Sequence, residues 1–391
     1  MIRKISWLCC LAAVVAVLAS WGLADGGLSA RAATTVPPSL YAEAAVLIEQ
    51  SSGKVLYKQN MDQQLYPAST TKIMTALLVL ENLPLNEKIT LPNDFYNVGE
   101  TGLALKPGAT QTVEELMMAL MLRSANDAAQ ALAIGVAGSE QAFVQMMNDK
   151  AAELGLQHTH FTNPHGLHNA EHYSSAHDLA VIAREALDNE EFRRIITTEK
   201  FKIEKLNGEE DFTVYNRNGL LKQYSSADGV KTGYTRQAGN CFVGSATEDG
   251  MQLIAVVLNS TEIYDDSQAL LEWGFDNFRP SLILEANSVK ASVPVLNGGR
   301  DDVEVLSEKP LYLISEDGEQ VNLTETLDLP SSVNAPVHRG EVIGSITYAD
   351  DSGNTYSTNL LAVKDVGKYS LRLVVRQAFQ GVWQVFVVPF T

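Results

Sequence analysis

A chain of 391 residues exceeds the roughly 100–200 residues of one average domain and fits a large domain joined to a smaller one. Hydrophobic residues make up 46% and charged residues 19%, a balance that excludes a disordered chain or a polytopic membrane protein and lets a real core form. The formal charge of -18 argues against nucleic acid as a partner, because phosphate binding wants a basic face.

Taken in chain order, Arg3 and Lys4, the uncharged and mostly apolar stretch Ile5 to Leu23, and the small residues of Ala30-Arg31-Ala32 read as an export signal over residues 1–32. Cleavage near Ala33 would remove Cys9 and Cys10. Cys241 is then the one cysteine left, so no intramolecular disulfide can form and the fold must stand on its core. The leader carries Arg3, Lys4 and Arg31 against Asp25, which leaves the mature chain more acidic still. Such a surface repels anionic wall polymers and lipid headgroups at long range, so attraction to a negative substrate has to be local.

Ala44 to Glu49 and Lys54 to Lys58 flank Ser51-Ser52-Gly53 and predict a hairpin. After Pro67, the stretch Ser69 to Leu80 carries Ile73, Leu77 and Leu80 at helical spacing, which puts Ser69 at or near a helix N-terminus. Further helices are expected over Val113 to Met121, Asp127 to Val136, Glu140 to Leu154 and Ser175 to Leu187, the last opened by a loose capping box of Ser175 and Asp178. From Gly229 the pattern changes to strands: Gly229 to Thr235, Gly239 to Thr247 and Gln252 to Leu258. A helix from Tyr264 to Phe278 follows. Strands at both ends with helices between predict an α/β (α+β) domain over residues 39–278, its antiparallel sheet flanked by helices. Beyond Arg279-Pro280, short apolar runs such as Val303 to Leu306, Leu311 to Ile314 and Val342 to Tyr348 alternate with turn residues, so residues 281–368 read as a small all-β domain.

Residues 369–391 form a last segment of different character. Val375, Phe379, Val382, Trp383, Phe386 and Val387 recur at helical spacing, with Arg372, Arg376 and several glutamines largely elsewhere. The uncharged stretch after Arg376 falls short of the roughly twenty residues that a spanning helix needs. An interfacial amphipathic helix, resting on the membrane surface mainly by its apolar face, is the expectation; a terminal strand, or a helix packed on the β domain, is the alternative.

Three short motifs carry chemistry. Ser69-Thr70-Thr71-Lys72 sets a hydroxyl and an amine on one helix face, where Lys72 can activate Ser69 if its own amine is neutral through desolvation or nearby positive charge. Ser124-Ala125-Asn126 lies between two helices, and Lys231-Thr232-Gly233 lies on a predicted strand. S-x-x-K alone is common by chance, but the ordered trio resembles the penicillin-binding proteins and serine β-lactamases. Within that superfamily the chain looks like the low-molecular-mass D-alanyl-D-alanine carboxypeptidases from about Tyr41 onward, through the strings Tyr66-Pro-Ala-Ser-Thr-Thr-Lys72, Leu122-Arg-Ser-Ala-Asn-Asp127, Asn163-Pro-His-Gly-Leu167, His172-Tyr-Ser-Ser175, Asn216-Arg-Asn218 and Asp228-Gly-Val-Lys-Thr-Gly233.

The resemblance implies a penicillin-sensitive enzyme, exported to the outer face of the cytoplasmic membrane, that removes the terminal D-alanine of peptidoglycan stem peptides and needs no metal or organic cofactor. By the same resemblance Ser69 would be the nucleophile, Lys72 the acylation base and Ser124 a proton carrier toward the leaving amine. Asn126 would hold the substrate amide, and Lys231 would supply the positive field. Thr232 and Arg217 would bind the terminal carboxylate, a task suited to a hydroxyl and a planar fork of donors. Gly233 would leave room for substrate along the strand edge. The backbone N–H groups of Ser69 and Tyr234 would form the oxyanion hole.

Other readings compete with this one. A class A β-lactamase shares the trio but adds a Glu-x-x-Leu-Asn string, of which Glu204-Lys-Leu-Asn207 is one residue short and falls in an expected strand region. Metal-assisted cleavage is suggested by His158, His160, His165, His168, His172 and His177, six of the seven histidines in one stretch, although no standard zinc spacing appears. A wall-binding or penicillin-sensing protein without turnover would keep the same fold.

Overall fold

The computed structural model describes residues 36–99, 101–316 and 319–369, so the export-signal and C-terminal expectations lie outside the described residues. Strand β1 (Ala44–Glu49) is buried along its whole length because both faces of its sheet are covered. Ala44, Val46 and Ile48 enter the core on one face, and Ala45 and Leu47 enter the core on the other, the period-two alternation of a strand. Strand β2 (Val55–Gln59) completes the hairpin as expected.

The chain then builds the helical side. A single 3-10 turn, Ala68–Thr71, leads into helix α1 (Lys72–Asn82), so Ser69 sits in a tight turn before the helix and not in its first α-turn. After the small hairpin β3 (Lys88–Thr90) and β4 (Thr110–Thr112) comes α2 (Val113–Met118), started by a complete capping box between Thr112 and Glu115. The expected continuation of this helix to Met121 changes character: Ala119–Arg123 is a π-helical turn that ends on Ser124 in the left-handed region, φ 66°. Helix α3 (Asn126–Ala137) stops at Gly138, φ 77°, and α4 (Glu140–Glu153) starts from the Ser139 hydroxyl cap. Helix α5 (Ala176–Leu187) is capped as the sequence predicts, Ser175 Oγ accepting from Asp178 N.

Helix α6 (Glu190–Thr197) is an addition to the expected elements. Its signals are present in the sequence: an Asn189 cap, two acidic residues in the first turn, and Phe192, Ile195 and Ile196 on one buried face. The pair β5 (Lys200–Ile203) and β6 (Phe212–Tyr215) follows. The Glu204–Asn207 string, expected in a strand, lies in the turn that joins this pair, where Lys205 and Asn207 take left-handed backbone angles. The short helix α7 (Leu220–Gln223) then leads to the long strands β7 (Ala227–Thr235), β8 (Gly239–Glu248) and β9 (Met251–Ser260).

These strands close an antiparallel sheet in the order β2-β1-β9-β8-β7. Sequence-distant strands β1 and β9 lie side by side at its centre, and β7 forms an edge. Helix α5 packs on one face, while α8 (Ile263–Asn277) packs on the other.

Helix α8 runs without a linker into β10 (Phe278–Leu284). Around it lies an all-β unit of β11 (Val289–Leu296), β12 (Asp302–Ser307), β13 (Leu311–Glu316), β14 (Leu323–Asp328), β15 (Val333–Asn334), β16 (Val342–Asp350) and β17 (Thr355–Ala362). Strand β10 pairs with β13, and the rest form a sheet ordered β14-β16-β17-β12-β11-β15 around a core that includes Val303, Val305, Ile346 and Leu360. The two parts are joined: Ile314 of β13 is fully buried in the α8-side core, and Lys54 Nζ donates to its carbonyl at 2.7 Å.

Candidate active site

The site forms where the start of α1, the end of the π turn and the open edge of β7 meet. Lys72 is fully buried, and its Nζ lies 2.9 Å from Ser69 Oγ, 2.8 Å from Asn126 Oδ1 and 2.6 Å from the His165 carbonyl oxygen. The two carbonyl oxygens can only accept. A neutral amine that donates its two hydrogens to them keeps its lone pair for the Ser69 hydroxyl, which is the arrangement a base needs.

Electrostatics push in the same direction. Burial first, and then the charge of Lys231, hold Lys72 well below the ordinary lysine range, with Asp127 opposing. Lys231 is itself buried, and burial followed by the Arg217 charge brings it down to about 7. Its Nζ donates to the Thr232 carbonyl at 2.9 Å. Arg217 has no ion-pair partner among the described residues and lines the cleft with Ser69, Ser124, Thr232, Gly233 and Tyr234. The cleft, about 320 Å³, also takes in Thr101, Asn240, Ile263 and Tyr264.

Two backbone features shape this wall. Ala68 and Ser124 both adopt positive φ, 49° and 66°, conformations that cost a non-glycine residue roughly 1–3 kcal/mol and persist only when the surroundings enforce them. Gly233 explains part of the enforcement: a Cβ on it would lie 2.9 Å from Ser69 N, so β7 touches the Ser69 turn and only glycine fits. Gly166 does the same from the other side, since its missing Cβ would come within 1.9 Å of the Ala68 carbonyl oxygen.

All nine residues singled out in the sequence therefore converge on one place. Ser69, Ser124, Arg217, Thr232, Gly233 and Tyr234 line the cleft, and Lys72, Asn126 and Lys231 stand buried among them. What the sequence reading missed is the supporting set. The Asn163 side chain accepts from the N–H groups of His165 and Gly166 and so aims the His165 carbonyl at Lys72. Asp127, buried in α3, accepts from Leu103 N and Leu105 N and ties down the chain next to Thr101. The Asn163 and Asp127 strings were visible as family signatures, but their roles need the tertiary contacts.

The histidine-rich stretch resolves into separate tasks. His172 Nδ1 accepts from Thr162 N at 3.1 Å, which fixes the proton on Nε2, and Nε2 meets Thr71 Oγ1 at 2.8 Å. Both ring nitrogens are committed, so His172 has none left for a metal. His160 bonds the Glu171 carbonyl, His168 stands edge-on to Tyr66, and His177 faces Asp178. Cys241 is buried, with its Sγ 3.5 Å from the Tyr66 carbonyl oxygen.

This fold and site define a serine acyl-transfer enzyme of the penicillin-binding type, with a hydroxyl, a buried amine and a cationic strand edge. Residues 31–262 match the D-alanyl-D-alanine carboxypeptidase family and residues 278–368 match the C-terminal domain of penicillin-binding protein 5. The chain belongs to the D-alanyl-D-alanine carboxypeptidase family. It is 34% identical over 354 residues to the D-alanyl-D-alanine carboxypeptidase DacF of Bacillus subtilis, covering 88% of this chain and 90% of that one. Identity to DacA of Escherichia coli is also 34%, over 85% of this chain and 86% of that protein. Among solved structures, penicillin-binding protein 5 from Haemophilus influenzae superimposes with a TM-score of 0.66 at 32% identity, over 86% of this chain and 100% of that one.

Burial, reinforced by nearby positive charge, lowers His165 and His172 each to about 3, against about 6.5 when unfolded. Between these values the unfolded chain binds more protons, so their contribution to stability is intact above about 6.5 and falls as the pH drops toward 3, by up to about 1.4 kcal/mol per pH unit for each histidine. Unfolding near pH 5 should take up close to two protons on their account, and His172→Asn should remove one. Denaturant midpoints followed against pH check this; an unchanged slope in His172→Asn would contradict it.

Proposed function

We propose that the chain is a serine-type D,D-carboxypeptidase that removes the terminal D-alanine of peptidoglycan stem peptides through an acyl-enzyme on Ser69. The observation that carries this reading is the buried Lys72 amine, held between two carbonyl oxygens and 2.9 Å from Ser69 Oγ. Lys72 takes the Ser69 proton as the oxygen attacks the carbonyl between the two D-alanines. The N–H groups of Ser69 and Tyr234 hold the oxyanion, Ser124 passes a proton toward the leaving amine, and Asn126 orients the substrate amide. Lys231 supplies positive field, Thr232 and Arg217 take the terminal carboxylate, and Gly233 leaves the strand edge open. Water then releases the acyl group. β-Lactams acylate the same serine and block it. Among the alternatives, the β-lactamase reading lacks its glutamate element, since Glu204-Lys-Leu-Asn207 is one residue short of that string and Glu204 is not among the residues that line the cleft.

The division of the chain follows from the same reading: a leader over residues 1–32 that directs export, a catalytic domain over 39–278, a β domain over 281–368, and a membrane-surface anchor over 369–391 that keeps the enzyme at the outer face of the cytoplasmic membrane. Among the described residues no helix is long and apolar enough to cross a membrane. The β domain would hold the catalytic cleft at a distance from the membrane.

Penicillin should add one covalent mass to the full chain and Ser69→Ala should take up none, while the unmodified enzyme releases a single D-alanine from a pentapeptide. Intact-mass and product spectrometry read both. An adduct on Ser69→Ala overturns the nucleophile, and an adduct on the parent enzyme without D-alanine release favours a sensor.

Thr232→Ala and Arg217→Ala should each lower kcat/KM on substrates with a free carboxylate by roughly 10- to 150-fold, the worth of a charge-assisted hydrogen bond. Amidated analogues should suffer much less. Equal losses on both substrate types would refute the carboxylate role.

A chain stopped at Lys368 should leave the membrane fraction while the full mature chain remains there in high salt, with equal turnover of soluble substrate. If both fractionate alike, the anchor assignment fails.

A further inference from the structure

The cleft continues past the residues assigned to chemistry. On β7 the side chains alternate: Lys231 and Gly233 face the helices, since a Gly233 Cβ would meet Ser69, while Thr232 faces the α8 side with its pair partner Phe242. Ile263 and Tyr264, at the start of α8, line the cleft on that same side. A substrate that reaches from Ser69 over the strand edge to Thr232 therefore meets them next.

Tyr264 is held from three directions. Its hydroxyl donates to the Arg217 carbonyl at 3.2 Å, and its ring stands edge-on to Phe242, centroids 5.2 Å apart. The third constraint is Gly219, where a Cβ would lie 2.7 Å from the Tyr264 ring. This side chain cannot swing away without disturbing the segment that carries Arg217. Helix α8 is also tied to the sheet through Asp266, which accepts from Ser260 Oγ at 2.6 Å.

We infer that Ile263 and Tyr264 form the floor of a one-residue leaving pocket and determine which terminal D-amino acid this enzyme releases. The inference rests on the carboxypeptidase reading and adds to it a size limit. With the terminal carboxylate fixed by Thr232 and Arg217, the side chain of the leaving residue has to share the remaining space with the Ile263 side chain and the Tyr264 ring. A methyl group fits such a space. A branched or aromatic side chain has to displace a ring that is pinned on both its edge and its hydroxyl, and overpacking of this kind is costly.

The test uses the full chain and a set of acyl-D-Ala-D-Xaa peptides in which the terminal residue is D-alanine, D-leucine or D-phenylalanine. The unmodified enzyme should prefer D-alanine over D-leucine in kcat/KM by roughly 10- to 200-fold, the range that a shaped apolar pocket achieves. Ile263→Ala and Tyr264→Leu should each narrow that ratio several-fold. The rate at which water releases the acyl group from Ser69, a step that follows departure of the leaving residue, should change little and reports that the catalytic centre is intact. Ile263→Ala serves if Tyr264→Leu fails to fold, because Ile263 is only partly buried. Equal turnover of the three peptides by the unmodified enzyme would overturn the inference, as would an unchanged ratio in a folded Ile263→Ala enzyme. A chain that releases no terminal residue from any peptide contradicts the carboxypeptidase reading instead, and the two failures are thereby distinct.

Discussion

A lysine amine with no exposure to solvent is the constraint on which the rest of this molecule depends. Desolvating an ammonium costs several kcal/mol unless it is paired, and the usual escape is loss of the proton. Here the amine lies against Ser69 Oγ, Asn126 Oδ1 and the His165 carbonyl. Those three groups come from a 3-10 turn, the start of α3 and a loop, three segments distant in sequence. None of them can move independently. Lys231, arriving on a fourth segment, adds the positive field that favours the neutral form.

Holding such segments together requires close backbone approach, and the structure obtains it with missing side chains and strained turns. Gly233 lets β7 touch the Ser69 amide, and Gly166 lets the His165 loop touch the Ala68 carbonyl. Ala68 and Ser124 accept left-handed backbone angles because their neighbours leave no alternative. Behind them the His172 ring joins Thr162 to Thr71 and stiffens the Ser69 turn from the rear. Preorganisation of this kind is what a site needs if it is to stabilise charge that appears only during reaction. The central sheet serves the same end, since its edge strand β7 keeps a free side along which a peptide can lie.

Much of this was legible in the sequence because local pattern and tertiary role coincide. Ile73, Leu77 and Leu80 announce the helix behind Ser69, and Ser175 with Asp178 announces α5. The ordered motifs around Ser69, Ser124 and Lys231 name the chemistry because few other arrangements use a hydroxyl, an amide and two amines in that order. The parts that stayed hidden are those fixed by distant contacts. Nothing local in Ala119–Arg123 marks a π turn, and nothing in Asn163 or Asp127 says which backbone groups they will hold. Helix α6 is a different case: its Asn189 cap and its Phe192, Ile195 and Ile196 stripe were readable, but it follows α5 so closely that one helical pattern masks the start of the next. Tyr264 looked like the first residue of a closing helix. Only the fold sets it beside Arg217.

The central claim is that Lys72 is a neutral base at working pH, and the most direct measurement is its own titration. Nitrogen-15 NMR of the Lys72 side chain, assigned by its disappearance in Lys72→Arg, reports the charge of this one amine. The account predicts a neutral amine at neutral pH, a pKa well below the usual lysine value of about 10.4, and movement back toward that value in Lys231→Met, where the second-largest cause of the shift is gone. A Lys72 that titrates like a surface lysine would contradict the account at its root.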